Sequence, residues 1–189
     1  MNKSANTVAS GEQTLAQRLG ITAPESPLRW KLIRLTERFP SPSAVNVESW
    51  LVDVANSRGA RIMRRQELPS DFTVPESELS NEELVAGLLL PCLADEPPML
   101  RLAAQIISRG LVDGTQLLVV ARREGVLRVL ANLAAQALRV APDHPLWRHI
   151  GDATAQERPL SENVIHWTRL AEPVMPHRGV HDGKWRLVA

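Results

Sequence analysis

Histidine and arginine are the residues here whose spacing admits chemistry, and they point to different kinds. All five histidines come late: His144, His149, His166, His177 and His181. Imidazoles four residues apart on one helical face can present nitrogens to a divalent metal. His177 and His181 have that spacing, with Asp182 beside them. Gly179 and the flanking prolines oppose a helix there, so the ordered face that a metal requires is not expected. A metal-dependent hydrolase is therefore the weakest of three functional readings, and no metal or cofactor is expected. Cys92, the only cysteine, follows Pro91 in an apolar stretch and reads as a buried, inert thiol. One cysteine also precludes an intramolecular disulfide or a cysteine zinc cage. With no glycine-rich phosphate loop, no Gly-x-Ser-x-Gly elbow and no His-Glu-x-x-His, no catalytic residue is assigned.

Arginine offers two clusters. Arg122, Arg123 and Arg128 flank Gly125, where two helices are expected to meet. Guanidinium groups converging there could grip acidic side chains or a carboxylate terminus of a protein partner. Arg58, Arg61, Arg64 and Arg65 form the densest cluster, and spacings of three and four put Arg58, Arg61 and Arg65 on one face of any helix. Such a face can meet nucleic-acid phosphates, each contact contributing through counterion release. No aromatic is interleaved for base stacking, so a solvated face, or pairing with the acidic segment 67–83, competes with that use.

Positioning these groups falls to helices, because the chain is punctuated at helix-length intervals. Ser26-Pro27 is an N-cap followed by proline at the first helical position, and Leu28, Leu32, Leu35 and Phe39 form the apolar stripe before Pro40. Asn46 is a candidate cap for a helix over 47–58, which carries Trp50, Leu51, Val54 and Ala55 and stops at Gly59. Ser80-Asn81-Glu82-Glu83 has the form of a capping box. Pro97-Pro98 opens a helix ending at Gly110, and Asp113 with Gln116 forms a looser box before a helix broken at Gly125. The longest helix covers 126–140. Two helical hairpins follow, 80–110 and 113–141, and Leu102-Ala103-Ala104-Gln105 in the first returns as Leu133-Ala134-Ala135-Gln136 in the second. An echo at that interval is what stacked hairpins produce, since one hairpin cannot bury its own apolar face.

Around the end of the second hairpin, Ala137, Pro142, Trp147, Ile150 and Gly151 fall in the order and spacing seen at a junction between tetratricopeptide repeats. The resemblance covers about fifteen residues well and 80–153 loosely, and HEAT-like repeats are similar too. It implies a stack of antiparallel helical hairpins that binds another macromolecule, with the first helix of each hairpin lining the concave face.

Composition agrees with an all-α fold: 44% of residues are apolar, yet only five are Trp, two Phe and none Tyr, so the core must be aliphatic. The net charge of +1 offers no global field for nucleic acid or membrane. Its distribution is uneven, with ten basic and five acidic residues in 1–65 but eight acidic and no basic ones in 66–98. The amino terminus has no apolar leader, and the longest apolar run, 88–94, is far too short to span a bilayer. The expectation is a soluble cytoplasmic protein, bacterial in style. Residues 1–12 are expected to form a disordered tail, 13–158 one helical domain capped by the helices at 26–58, and 159–189 an extension with a short helix from Pro159 to Leu170. Asp182-Gly183, between Val180-His181 and Lys184-Trp185, has the form of a two-residue hairpin turn. The leading function is a non-catalytic protein-interaction module, an adaptor, chaperone-like or regulatory protein. The alternative is a nucleic-acid-associated regulator using the basic amino-terminal half.

Overall fold

Five of the described α-helices begin where a side chain accepts from one of their first amide groups. The computed structural model describes residues 26–60, 72–90, 97–173 and 184–187. Helix α1 (Pro27–Arg38) starts with the Ser26 hydroxyl accepting from the Arg29 N–H at 3.1 Å. In α2 (Val47–Ser57), Asn46 and Ser49 cap each other's backbone reciprocally. In α3 (Asn81–Leu88), Ser80 and Glu83 do the same, both at 3.2 Å. Then come α4 (Pro97–Ser108), α5 (Gly114–Arg123), α6 (Leu127–Leu138) and α7 (Pro145–Ala153). Gly125, between α5 and α6, has φ 72°, a left-handed conformation that a side chain at this corner would strain.

The fold is all-α apart from one two-stranded sheet. The helices of each expected pair touch, α3 against α4 and α5 against α6. Helix α3 packs on α4 and on α5, α6 packs on α7, and α1 and α2 pack on each other and on α3. The looser box at Asp113 is completed from outside its own helix. Asp113 accepts from the Gln116 N–H, but its own N–H donates to Glu82 of α3, each at 2.8 Å. One hairpin thus caps the next. Among the described residues no helix is long and apolar enough to cross a membrane.

A single core runs through the seven described helices. Leu102, Ala103, Ile106, Leu133 and Ala134 are fully buried in it, and Leu138 packs half-buried at its edge. The small side chain at Ala134 keeps its neighbours close. Ala134→Leu should therefore overpack the interface and cost about 1–3 kcal/mol in urea unfolding; an unchanged midpoint would mean that the interface has room to spare.

The carboxy-terminal extension departs from its sequence pattern. In place of the helix expected from Pro159 to Leu170 there is irregular chain and one 3₁₀ turn, Trp167–Arg169. The backbone N–H of Val164 goes to the Asn132 side chain of α6 at 3.0 Å, and the Asn163 amide oxygen accepts from Asn132 and Gln136, both at 3.1 Å. Side chains of α6 take the partners that a helix would have kept for itself. The sheet pairs β1 (Ala171–Pro173) antiparallel with β2 (Trp185–Leu187). Trp185 therefore pairs with Pro173. An edge-to-face contact between Trp167 and Trp185, with ring centroids 5.7 Å apart, helps to set this register. The expected turn at Asp182-Gly183 lies outside the described residues.

Candidate functional site

The three arginines around Gly125 do different jobs. Arg123, half exposed, bonds Glu124 at 2.7 Å and lies 3.9 Å from Glu83. Arg128 reaches away from that corner and donates to the backbone carbonyls of Arg158 and Pro159, at 2.9 and 3.1 Å. Only Arg122 is exposed without an ion-pair partner among the described residues. Arg58, of the nucleic-acid alternative, is half-buried and fully engaged. It donates to Asn81 Oδ1 at 2.7 Å, to the Leu79 carbonyl at 2.5 Å and to the Val74 carbonyl at 3.2 Å. Burial lowers its pKa, against the pull of Glu76 and Glu82. The guanidinium thus pins the 74–79 loop to the end of α2. Arg61, Arg64 and Arg65 lie outside the described residues.

Three histidines have structural roles or none that a ligand would use. His144 caps α7, and its other ring nitrogen lies 3.0 Å from the Ser108 carbonyl at the end of α4. His166 caps the 3₁₀ turn, while His149 is exposed. His177, His181 and Cys92 lie outside the described residues, and among the described ones no three His, Cys, Asp or Glu side chains converge as a metal site would need.

Among the described residues, a cleft of about 410 Å³ lies between α6, α7 and the segment 154–160. Its floor follows one face of α6 through Arg128, Ala131, Asn132, Ala135 and Leu138, a run of about 15 Å. Ala155 and Leu160 add apolar wall, and Asp152, Glu157 and Arg158 bring both charge signs. Three amides hold the far wall in place, since Asn132 and Gln136 both donate to Asn163. Arg128, a predicted binding residue, lies at one end, fixed by its carbonyl contacts. The echo is unequal at this point: Ala104 is buried, whereas its counterpart Ala135 is open to the cleft.

Two buried carboxylates were not legible as sites in the sequence. Asp53 is fully buried and accepts from the Ser41 and Ser43 hydroxyls, both at 2.6 Å. Glu124, also buried, accepts from the Ser26 hydroxyl at 2.6 Å and from the Leu28 N–H at 3.2 Å, in the first turn of α1. Burial raises the Glu124 pKa, but the bonds from Ser26, Arg123 and Leu28 outweigh it and hold the carboxyl below its usual range. A clue existed for Glu124: an acid beside the Gly125 corner cannot favourably complement the carboxyl end of its own helix, so it must serve another. Here it serves the amino end of α1.

Compared with protein-family models, curated proteins and solved structures, the chain matches none.

Proposed function

We propose that the chain is a non-catalytic module that binds another protein, and that the cleft along α6 receives a helical segment of that partner. The observation that carries this reading is the exposure of Ala135 where Ala104, its counterpart in the echo, is covered. Taken as a hairpin stack of the tetratricopeptide kind, α3–α4 and α5–α6 are two complete units and α7 opens a third. The third has no second helix, because the chain continues through 154–166 without an α-helix. That helix would lie against α6 and α7 together, which is where the cleft is. A repeat end left bare is an unfinished apolar surface. A partner helix with small apolar residues on one face would complete it, in the helix-in-groove mode. Arg128, Arg158, Asp152 and Glu157 supply both charge signs at the rim, which orients such a helix more than it strengthens binding.

The test is selection from a peptide-display library on the full-length chain, comparing wild type with Ala135→Trp. Tryptophan at an exposed cleft position fills the groove without entering the core, so the melting temperature should hold. Peptides of one helical pattern should bind wild type and lose at least about tenfold in affinity on the variant, a difference of about 1.4 kcal/mol. Equal binding by both proteins would remove the cleft as the site. Arg122→Ala, tested alongside, should bind as wild type does.

A further inference from the structure

We propose that a second copy of this chain docks on the outer face of α1, forming an antiparallel two-fold dimer. Helix α1 buries Leu28, Leu32 and Leu35, and its opposite side carries Trp30, which is 58% exposed, next to half-buried Ile33. Trp50 and Trp147, by contrast, are completely enclosed. An apolar groove of about 220 Å³, lined by Arg29, Ile33 and Val47 among others, extends this strip toward the start of α2.

The charges identify the occupant. Lys31 and Arg38, on the flank of α1 that faces α3, are already paired, with Glu83 at 2.6 Å and Glu78 at 2.9 Å. Arg29 and Glu37 have no ion-pair partner among the described residues, and both are exposed. Arg29, Ile33 and Glu37 lie four residues apart, in one row along the helix. Cation, apolar residue and anion in that order form a row that complements its own reversal. If two copies of α1 cross antiparallel with Ile33 at the two-fold axis, Arg29 of each meets Glu37 of the other and Trp30 is removed from water on both sides. A two-fold interface requires this self-complementarity, and an exposed Trp with a flanking Arg is the composition of an interface anchor. A nucleic-acid occupant fits worse, because Glu37 on this face and Glu48 in the groove would repel phosphate. The dimer uses neither the cleft nor the partner proposed for it, and each can fail alone.

Charge reversal tests this on the full-length chain by sedimentation velocity and native mass spectrometry. Wild type should dimerise in a concentration-dependent way, and Trp30 should become less accessible to a neutral quencher as it does. Arg29→Glu alone places a carboxylate against Glu37 in both cross-pairs and should be monomeric; Glu37→Arg alone sets two arginine pairs together and should be monomeric too. An equimolar mixture of the two variants should restore a dimer, specifically the heterodimer, because both of its cross-pairs join opposite charges: one sets the introduced carboxylate against the introduced guanidinium, and the other sets Arg29 against Glu37. Exposed substitutions of this kind leave the fold intact, which far-UV circular dichroism verifies. A wild type that stays monomeric up to hundred-micromolar concentration overturns the proposal. So does a dimer that survives both reversals, or a mixture that stays monomeric.

Discussion

Replacing Trp147 by alanine is expected to cost about 3–5 kcal/mol, the range for deleting a large aromatic from a packed core. Trp147 is wholly buried in α7, and its indole N–H donates to the Ser108 hydroxyl at 2.9 Å. The same α7 terminus contacts Ser108 a second time, through His144 and the backbone carbonyl. Tryptophan and histidine together therefore clamp the start of α7 to the end of α4, across the second hairpin. A domain of this size has only about 5–15 kcal/mol of stability, so the alanine variant should be partly unfolded at physiological temperature. Trp147→Phe separates volume from hydrogen bonding. It should lose less, about 1–3 kcal/mol, for the smaller ring and the unpaired hydroxyl at Ser108. Chemical denaturation measures both. A Trp147→Ala loss below about 1 kcal/mol would mean that α7 is not part of the cooperative core.

The residues that punctuate the chain made its helices legible. Ser26, Asn46, Ser80 and Asp113 all serve as caps, because a helix start needs an acceptor within one turn, and that requirement is local in sequence. The echo was legible for the same reason, with Ala103 and Ala134 both buried. What escaped depends on groups far apart in the chain. The helix expected from Pro159 fails because Asn132, some 30 residues earlier, captures the Val164 N–H. Arg58 looked like one of four surface cations, yet its partners at Val74, Leu79 and Asn81 lie 16 to 23 residues further along the chain. The arginines near Gly125 were expected to share one ligand because they are close in sequence. Instead Arg123 pairs with Glu124 and lies near Glu83 of α3, and Arg128 faces the 158–159 backbone. The cleft was illegible because its walls, α6, α7 and the segment 154–160, meet only through packing that no local pattern reports.

Glu124→Leu should destabilise the fold by about 3 kcal/mol, because it breaks the junction at which the start of α1 meets the end of α5. Its carboxylate is completely buried between the Ser26 hydroxyl, the Leu28 N–H and Arg123. The Arg123 pair contributes little alone, since Arg123 is half exposed and screened. The larger share comes from two charge-assisted hydrogen bonds to the start of α1, in the range of about 1.5–3 kcal/mol each. Removing the carboxylate leaves the Ser26 hydroxyl and a backbone amide buried without that acceptor, and leaves the positive end of α1 uncompensated. The pH dependence follows from the lowered pKa of Glu124. A carboxyl more acidic in the folded state binds fewer protons there than in the unfolded chain, so its stabilisation is complete above the unfolded value of about 4.3. It declines as pH falls from there through the folded value. Glu124→Gln keeps the shape but cannot ionise. The stability gap between wild type and Glu124→Gln should therefore be constant from neutral pH down to about 5 and close at more acidic pH. Urea unfolding across that range measures it. A gap that stays constant to pH 3 would show that the Glu124 charge does not hold α1 in place, and would leave Ser26 and Arg123 as ordinary neighbours of a packed side chain.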